Sequence, residues 1–325
     1  MIGREEFTTH LRGGPWTLRR REVAKRVGVS LLSARKIWRA LGFPGVDDDE
    51  VAFNETDTKA LGIAVGMVRH DLIDEETAIA CARALGQNTD RLVSWQIDAL
   101  LEYLAARSPS GQPEDPLKLI EQLTPELEEL LLYSFRRQLA ASISRIDASS
   151  GRPADAVTVC FADLVAYTRL SRRLPRRELS RLVQRFEGLA SDVVTAGGGR
   201  VIKTVGDEVL FIATDATKAA LIALSISARM ADDDLVPDVR VGMVHGPVLR
   251  SLGDVYGTTV NLASRLTSLA EPGTVVTDPG TAKTLEDHPG IELVAQRPRL
   301  VRGFGQVQPL LVAPMGISEQ LIKVD

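Results

Sequence analysis

Two patterns of apolar and polar residues divide the chain. From residue 55 to about 145, apolar side chains recur every three or four positions, as at Leu61, Val65 and Val68, which is the spacing of one helix face. From residue 156 onward, short runs rich in β-branched residues alternate with helical segments. We therefore predict a helical N-terminal region followed by an α+β region.

The α+β region contains four predicted core strands and two predicted helices. AVTVCFADL and VRVGMVHGPVL are typical of buried strands, and RVIKTVGDEVLFIAT predicts a hairpin because a Gly-Asp turn separates two apolar runs. The segments RRELSRLVQRFEGLASDVVTAG and ATKAALIALSISARMA are helical in pattern. The resulting order, βαββαβ, predicts a ferredoxin-like domain.

Breaking residues set the predicted boundaries. Asn88 and Asp90 predict a break between two helices, and ASSGRPAD predicts a connection after a helix at about 117–145. We predict an all-α domain over 1–135, a linker and switch helix over 136–155, and the α+β domain over 156–325.

Composition narrows the class of protein. The 325 residues carry a net charge of −4 with 44% hydrophobic residues, which excludes a fully disordered chain and argues against nucleic acid as a general partner. Cys81 and Cys160 lie in apolar contexts, so we expect two buried thiols rather than a disulfide framework. No run approaches the roughly 18 apolar residues of a membrane span, and MIGREEFTTHLRGG lacks a signal-peptide core. We expect a soluble cytoplasmic protein with no transmembrane segment.

Two aspartates are candidates for chemistry. Asp163 ends a predicted strand, and Asp207 lies at the tip of the predicted hairpin. Two carboxylates brought together would repel unless a cation lay between them, and Mg²⁺ suits such a position because it takes one or two carboxylates plus phosphate oxygens. On spacing alone, ordinary turn chemistry is the usual explanation of a Gly-Asp pair in a hairpin.

Three segments in order resemble signature segments of the class III nucleotidyl cyclase catalytic domain. They are FADLVAYTRL, VIKTVGDEVLF and GDVYGTTVNLASRL, and the resemblance covers about 157–314. It implies that Asp163 and Asp207 bind two divalent cations, Mg²⁺ or Mn²⁺.

The resemblance also implies roles for five further residues. Lys203 and Asp254 match the pair that binds the purine. Asn261 and Arg265, four positions apart and so on one helix face, match the pair that orients the ribose and stabilises the transition state. Arg302 matches, more loosely, a basic residue for the triphosphate.

The implied activity is that of an adenylate cyclase, which converts ATP to 3′,5′-cyclic AMP and pyrophosphate by attack of the 3′-hydroxyl on the α-phosphorus. Asp254 can accept a hydrogen bond from the 6-amino group of adenine and Lys203 can donate to N1, whereas guanine reverses both groups. In the family, the metal-binding residues come from one subunit and the others from its partner. The resemblance therefore implies a homodimer with two shared sites.

The N-terminal half resembles the regulatory region of soluble bacterial cyclases that respond to pH. This resemblance implies a proton or lipid effector acting on the helical domain, with 136–155 as the bistable element. His10 and His70 are candidate sensors because histidine titrates near neutrality.

A second interpretation concerns the basic segment 1–45. Within 17–43, REVAKRVGVSLLSARKIWRALGF resembles a helix-turn-helix with a basic second helix. On this alternative the protein is a DNA-binding transcription regulator with a nucleotide-sensing, cyclase-like domain. A non-catalytic nucleotide-binding module is a further alternative.

Overall fold

The computed structural model describes residues 3–107, 115–144, 156–251 and 253–316. The chain divides into two compact units, Met1–Ala141 and Ser142–Asp325. We call them the helical unit and the catalytic unit. The first residues of the predicted linker, 136–143, are helical, and residues 145–155 lie outside the described residues. The predicted domain boundaries stay predictions.

The helical unit consists of helices and one short antiparallel strand pair. Its helices are α1 (Arg4–Leu11), α2 (Arg20–Val27), α3 (Leu31–Ala40), α4 (Glu55–Arg69), α5 (Glu75–Arg107) and α6 (Pro116–Ile143). Its strands are β1 (Leu18–Arg19) and β2 (Val51–Phe53). None of the described helices, here or in the catalytic unit, is long and apolar enough to cross a bilayer.

The helix pair α2–α3 is formed by local signals. Gly28 ends α2 with φ of +75°, a left-handed conformation in which glycine is not strained. Ser30 caps α3, because its Oγ accepts a hydrogen bond from the backbone N–H of Ser33 at 3.0 Å. The pair packs on a small core in which Trp38 lies 4.6 Å from Phe53, centroid to centroid.

The predicted break at Asn88 and Asp90 is wrong, because α5 runs through both residues. Neither proline nor a left-handed glycine stops the helix there, and Asn88 Nδ2 donates to the carbonyl oxygen of Ala84 at 2.7 Å, within the helix. Gly86 allows close packing, since a Cβ at this position would lie 2.3 Å from the carbonyl oxygen of Leu41. A continuous helix therefore replaces the two predicted ones.

The catalytic unit alternates strands and helices. Its helices are α7 (Tyr167–Ser171), α8 (Arg176–Ala196), α9 (Ala216–Ala231), α10 (Thr258–Leu269) and α11 (Pro279–Ala282). The strands are β3 (Ala156–Leu164), β4 (Arg200–Val205), β5 (Glu208–Ala213), β6 (Val239–Pro247), β7 (Leu249–Ser251), β8 (Asp254–Tyr256), β9 (Val275–Thr277), β10 (Ile291–Ala295), β11 (Arg299–Val301), β12 (Gly305–Val307) and β13 (Leu310–Pro314).

The central sheet confirms the predicted α+β class. Its order is β10-β13-β9-β6-β3-β5-β4, and the four strands β6-β3-β5-β4 are antiparallel neighbours. This is the arrangement that the order βαββαβ produces in a ferredoxin-like domain. Strand β9 extends the sheet in parallel beside β6, and β13 and β10 continue it.

The two faces of the sheet are covered differently. Along β3, Cys160, Ala162 and Leu164 point into the larger core, which α8 and α9 cover. Val159 and Phe161 point to the opposite face and pack in the core that includes α10. Of the two expected buried thiols, Cys160 is buried, but Cys81 on α5 is exposed, so that half of the prediction is wrong.

Candidate functional site

Charged side chains from neighbouring strands lie on the α10 face of the sheet. In register, Asp163 on β3 is opposite Glu208 on β5 and Arg240 on β6. Directly opposite residues share a face, and Phe161, two residues before Asp163, packs on the α10 side. Lys203 on β4 lies opposite Leu210, which is on the same side. The β-sheet register thus collects four charges on one face.

The two predicted metal-binding aspartates lie close together. The backbone N–H of Leu164 donates to the carbonyl oxygen of Asp207 at 2.9 Å, which holds the β4–β5 turn beside the end of β3. Gly206 begins that turn with φ of +63°. The pKa of Asp163 is raised, first by burial and further by the negative charge of Asp207, while Arg240 lowers it. The pair therefore interacts electrostatically.

Arg240 is a site residue that the sequence prediction missed. Its Nε and Nη2 both donate to Asp163 Oδ2, at 2.7 and 2.6 Å, so two charge-assisted hydrogen bonds converge on one carboxylate oxygen. The signal in the sequence was a lone arginine within the apolar run VRVGMVHG. Its meaning depends on the β3–β6 register, which places it opposite Asp163.

Glu208 is the second missed residue. Burial raises its pKa to about 7, and the negative charges of Asp163 and Asp207 add to this effect. Three carboxyl groups therefore crowd one edge of the sheet, and full ionisation of all three is electrostatically unfavourable.

The two predicted purine-binding residues form an ion pair. Lys203 Nζ lies 2.5 Å from Asp254 Oδ2, and Asp254 Oδ1 accepts from the backbone N–H of Val255 at 2.8 Å. Burial opposes the charge of Asp254, but these two donors outweigh it, so the pKa of Asp254 is lowered. The predicted loop around Asp254 is the second strand of the hairpin β7–β8.

The remaining predicted site residues are not joined to this cluster in the single chain. Asn261 and Arg265 lie one turn apart on α10 and are exposed. Arg302 is exposed in the turn between β11 and β12, a separate two-stranded sheet. Within the ranges that the structure describes, none of the three makes a side-chain hydrogen bond or ion pair, so all are available to groups outside this chain.

The donor set at Asp163 and Asp207 fits a magnesium-type cation. Both residues offer carboxylate oxygens, and Mg²⁺ in phosphate-transfer sites takes one or two carboxylates and completes its shell with water and substrate phosphates. Among the described residues there is no group of three or more His, Cys, Asp or Glu side chains with the geometry of a metal site. The two carboxylates suit an open site rather than a closed cage.

Comparison with known proteins identifies the class. Residues 150–313 match the family described as the adenylate and guanylate cyclase catalytic domain. The chain belongs to this family.

Named relatives cover both units. An adenylate cyclase of Glutamicibacter nicotianae is 49% identical over 91% of this chain and 79% of its own length. An adenylate cyclase of Streptomyces coelicolor is 42% identical over 90% of this chain and 84% of its own. A pH-sensitive adenylate cyclase of Mycobacterium tuberculosis is 29% identical over 91% of this chain and 78% of its own.

Proposed function

We propose that this protein is an adenylate cyclase that converts ATP to 3′,5′-cyclic AMP and pyrophosphate. The observation that carries the proposal is that one side of the sheet holds two residue pairs. One is Asp163 and Asp207, and the other, on neighbouring elements, is Lys203 and Asp254. The two relatives that are 49% and 42% identical over most of the chain are both named adenylate cyclases, which supports the proposal.

The acidic pair is assigned to the reaction centre. Divalent cations bound by Asp163 and Asp207, Mg²⁺ or Mn²⁺, would lower the pKa of the 3′-hydroxyl and neutralise phosphate charge. Arg240 compensates the charge of Asp163 in the protein alone. With a cation bound at this carboxylate, the Arg240 guanidinium would become available to bind phosphate oxygens.

The Lys203–Asp254 pair is assigned to the base. Asp254 keeps its charge because its pKa is lowered, so it remains an acceptor for the 6-amino group of adenine. Guanine would set its 6-carbonyl against this carboxylate and its N1–H against the ammonium of Lys203. Buried polar groups without partners cost about 1–3 kcal/mol each, so we expect a strong preference for ATP.

The proposed enzyme is a homodimer with shared sites. Asn261 and Arg265 face solvent in the single chain, as residues that act on substrate held by a partner would. Arg265 would bind the charge that develops on the α-phosphoryl oxygens, and Asn261 would orient the ribose. Arg302 is retained as a weaker proposal for the triphosphate.

The test of activity uses the full chain with ATP or GTP and Mg²⁺ or Mn²⁺. We expect cyclic AMP to form at least about 30-fold faster than cyclic GMP, because two mismatched polar contacts of about 1–3 kcal/mol each separate the substrates. Asp254→Asn should reduce this ratio, while Asp278→Asn, a helix-capping aspartate of the same unit, should leave it unchanged. Equal rates with ATP and GTP would refute the assignment of the base.

The test of shared sites is complementation. Chains with Asp163→Ala and chains with Asn261→Ala should each be inactive alone, and mixing them should restore one intact site per heterodimer. Failure to recover any activity from confirmed heterodimers would refute the shared site.

We further propose that the helical unit regulates activity in response to pH, as the name of the Mycobacterium tuberculosis relative suggests for that protein. His10, in the last turn of α1, and His70, which caps α4, are the candidate sensors. Replacing each with glutamine should shift the pH profile of cyclic AMP formation. An unchanged profile in the double variant would exclude them. A lipid effector and a cytoplasmic location stay predictions.

The DNA-binding alternative is not favoured by the contacts of the helix pair α2–α3. Its basic side chains are largely used within the helical unit, in the ion pairs Arg20–Asp48, Arg35–Asp48, Arg26–Glu55 and Lys36–Glu75. A helix whose basic residues already have acidic partners has less charge to offer to phosphates.

A further inference from the structure

A cavity of about 420 Å³ lies in the helical unit, beside α3 and the segment that follows it. Three arginines border it, Arg20, Arg35 and Arg39, and its apolar wall includes Trp38 and Phe43. Cavities of this size bind small molecules, and such sites combine an apolar wall with a few polar groups that fix orientation.

The charges at the cavity do not cancel. Asp48 accepts from Arg20 Nη1 at 2.6 Å and from Arg35 Nη2 at 2.7 Å, and both arginines hold the pKa of Asp48 below its ordinary value. Asp47 also borders the cavity. Three guanidinium groups thus face two carboxylates, which leaves one positive charge in excess.

Two of the arginines have donors to spare. Arg20 is only 4% exposed, yet its Nε is buried without an acceptor, which is an unfavourable state for an N–H group. The exposed side chain of Arg39 makes no hydrogen bond or ion pair with any residue in the described ranges. A buried guanidinium with an unused N–H and an unpaired guanidinium therefore border one cavity.

We propose that this cavity binds a small organic anion, with a carboxylate or phosphate head and an apolar body. Arg20 and Arg39 bind the head, and the body lies against Phe43 and Trp38. The Asp48 carboxylate held by Arg20 and Arg35 shows that this part of the cavity already accommodates one oxyanion.

The charges favour a small anion over a nucleic acid. One excess positive charge matches a ligand with one or two negative charges. The acidic run Asp47–Glu50 contributes Asp47 and Asp48 to the cavity lining, and the run would repel a polyanion. The proposal concerns the helical unit and does not depend on cyclase activity.

The experiment titrates the full chain, without divalent cations, by calorimetry. The probes are phenyl phosphate and benzoate, with inorganic phosphate lacking the apolar body and benzyl alcohol lacking the charge. We expect at least one of the aromatic anions to bind at least about 10-fold more tightly than either control probe, because both parts of the cavity contribute. The tighter of the two identifies the head group.

Variants locate the binding. Arg39→Gln should weaken the aromatic anion about 10-fold, because it removes an unpaired charge on an exposed position without disturbing the fold. Phe43→Ala should weaken it by removing apolar wall. Lys25→Gln, which removes an exposed charge elsewhere on the helix pair, and Asp192→Asn, in the catalytic unit, should leave binding unchanged.

Three results would overturn the proposal. The first is that no aromatic anion binds, and the second is that Arg39→Gln and Phe43→Ala bind the probes as the unchanged chain does. The third is that duplex DNA binds in an Arg39-dependent manner while the small anions do not.

Discussion

The two units differ in how much apolar surface they bury. In the catalytic unit, helices α8 and α9 and the sheet enclose a continuous core built around side chains such as Phe186, Phe211 and Ile226. In the helical unit, α5 has 33 residues and buries only three, and α6 has 28 residues and buries none among those described. A helix that buries so little is only weakly stabilised by packing within its own chain. The fold of the catalytic unit is self-contained, whereas the long helices require a further surface.

The exposed side of α6 indicates what that surface is. Leu132, Phe135, Leu139 and Ile143 are all exposed and recur every three or four positions, so they form one apolar row. In the proposed homodimer, the same row on a second copy would cover it. In the proposed homodimer, the two units would depend on dimerisation for different reasons, α6 for burial and the catalytic unit for a complete site.

The largest expected effect is in the catalytic unit. Asp207→Asn should lower cyclic AMP formation at least about 1000-fold, because a cation loses one of two carboxylate ligands. Thermal unfolding should show no loss of stability, since the substitution relieves repulsion of Asp163. Asp192→Asn, an exposed aspartate on α8, is the control and should keep full activity. Activity of Asp207→Asn within tenfold of the unchanged chain would contradict the assignment.

The second-largest expected effect concerns the apolar row on α6 as a contact between two copies of the chain. Phe135→Glu places a charge within the apolar row and should shift the chain toward monomers in sedimentation experiments, lowering activity about 10-fold or more at low protein concentration. Ser134→Glu introduces the same charge one position away, off the row, and should do neither. If both variants sediment as the unchanged chain does, the row is not the dimer contact.

A smaller effect depends on pH. The pKa of Glu208 is about 7 in the folded protein and 4.5 ordinarily, so between these values the folded state binds more protons than the unfolded state. Stability from this group therefore decreases as pH rises from about 4.5 to about 7. The glutamine in Glu208→Gln cannot lose a proton, so the variant should have a higher free energy of unfolding than the unchanged chain. This difference should be larger at pH 8 than at pH 5, by about 1–2 kcal/mol.

Urea unfolding at both pH values, with a chelator present, measures this difference. Glu286→Gln, an exposed glutamate of the same unit, is the control and should give equal results at the two pH values. A gain for Glu208→Gln that is the same at pH 5 and pH 8 would contradict the raised pKa.

The smallest expected effect is on stability, and it compares backbone strain at one position in each unit. Ala166, which precedes α7, has φ of +61°, and Gly28 at the end of α2 has φ of +75°. Ala166→Gly should stabilise the protein by about 0.5–1 kcal/mol, and Gly28→Ala should destabilise it by a similar amount, because the left-handed region strains residues with a Cβ. Opposite shifts in unfolding temperature check this, and shifts of the same sign would refute it.

Much of the fold followed from local pattern. The strands and helices of the catalytic unit were predictable because apolar periods of two and of about 3.6 separate cleanly along 156–247. The end of α2 at Gly28 and the cap of α3 at Ser30 were predictable because each acts on its own helix terminus. The continuity of α5 was not, since Asn88 can cap a helix or bond within one, and only packing decides.

Some residues of the candidate site could be predicted from the sequence, and others could not. The Lys203–Asp254 pair joins residues far apart in the chain, and motif resemblance was enough to predict that they lie together. Arg240 and Glu208 were missed because their contact with Asp163 depends on strand register, which no single segment encodes.

The amino-acid order by itself determined where helices and strands form, which family the catalytic unit belongs to and which polar residues its motifs carry. Only the tertiary structure decided that Arg240 pairs with Asp163, that Glu208 shares its charge environment, and that an arginine-lined cavity lies beside α3. The reason is physical: periodicity and capping act within a few residues, whereas ion pairing and burial depend on residues that the folded chain brings together.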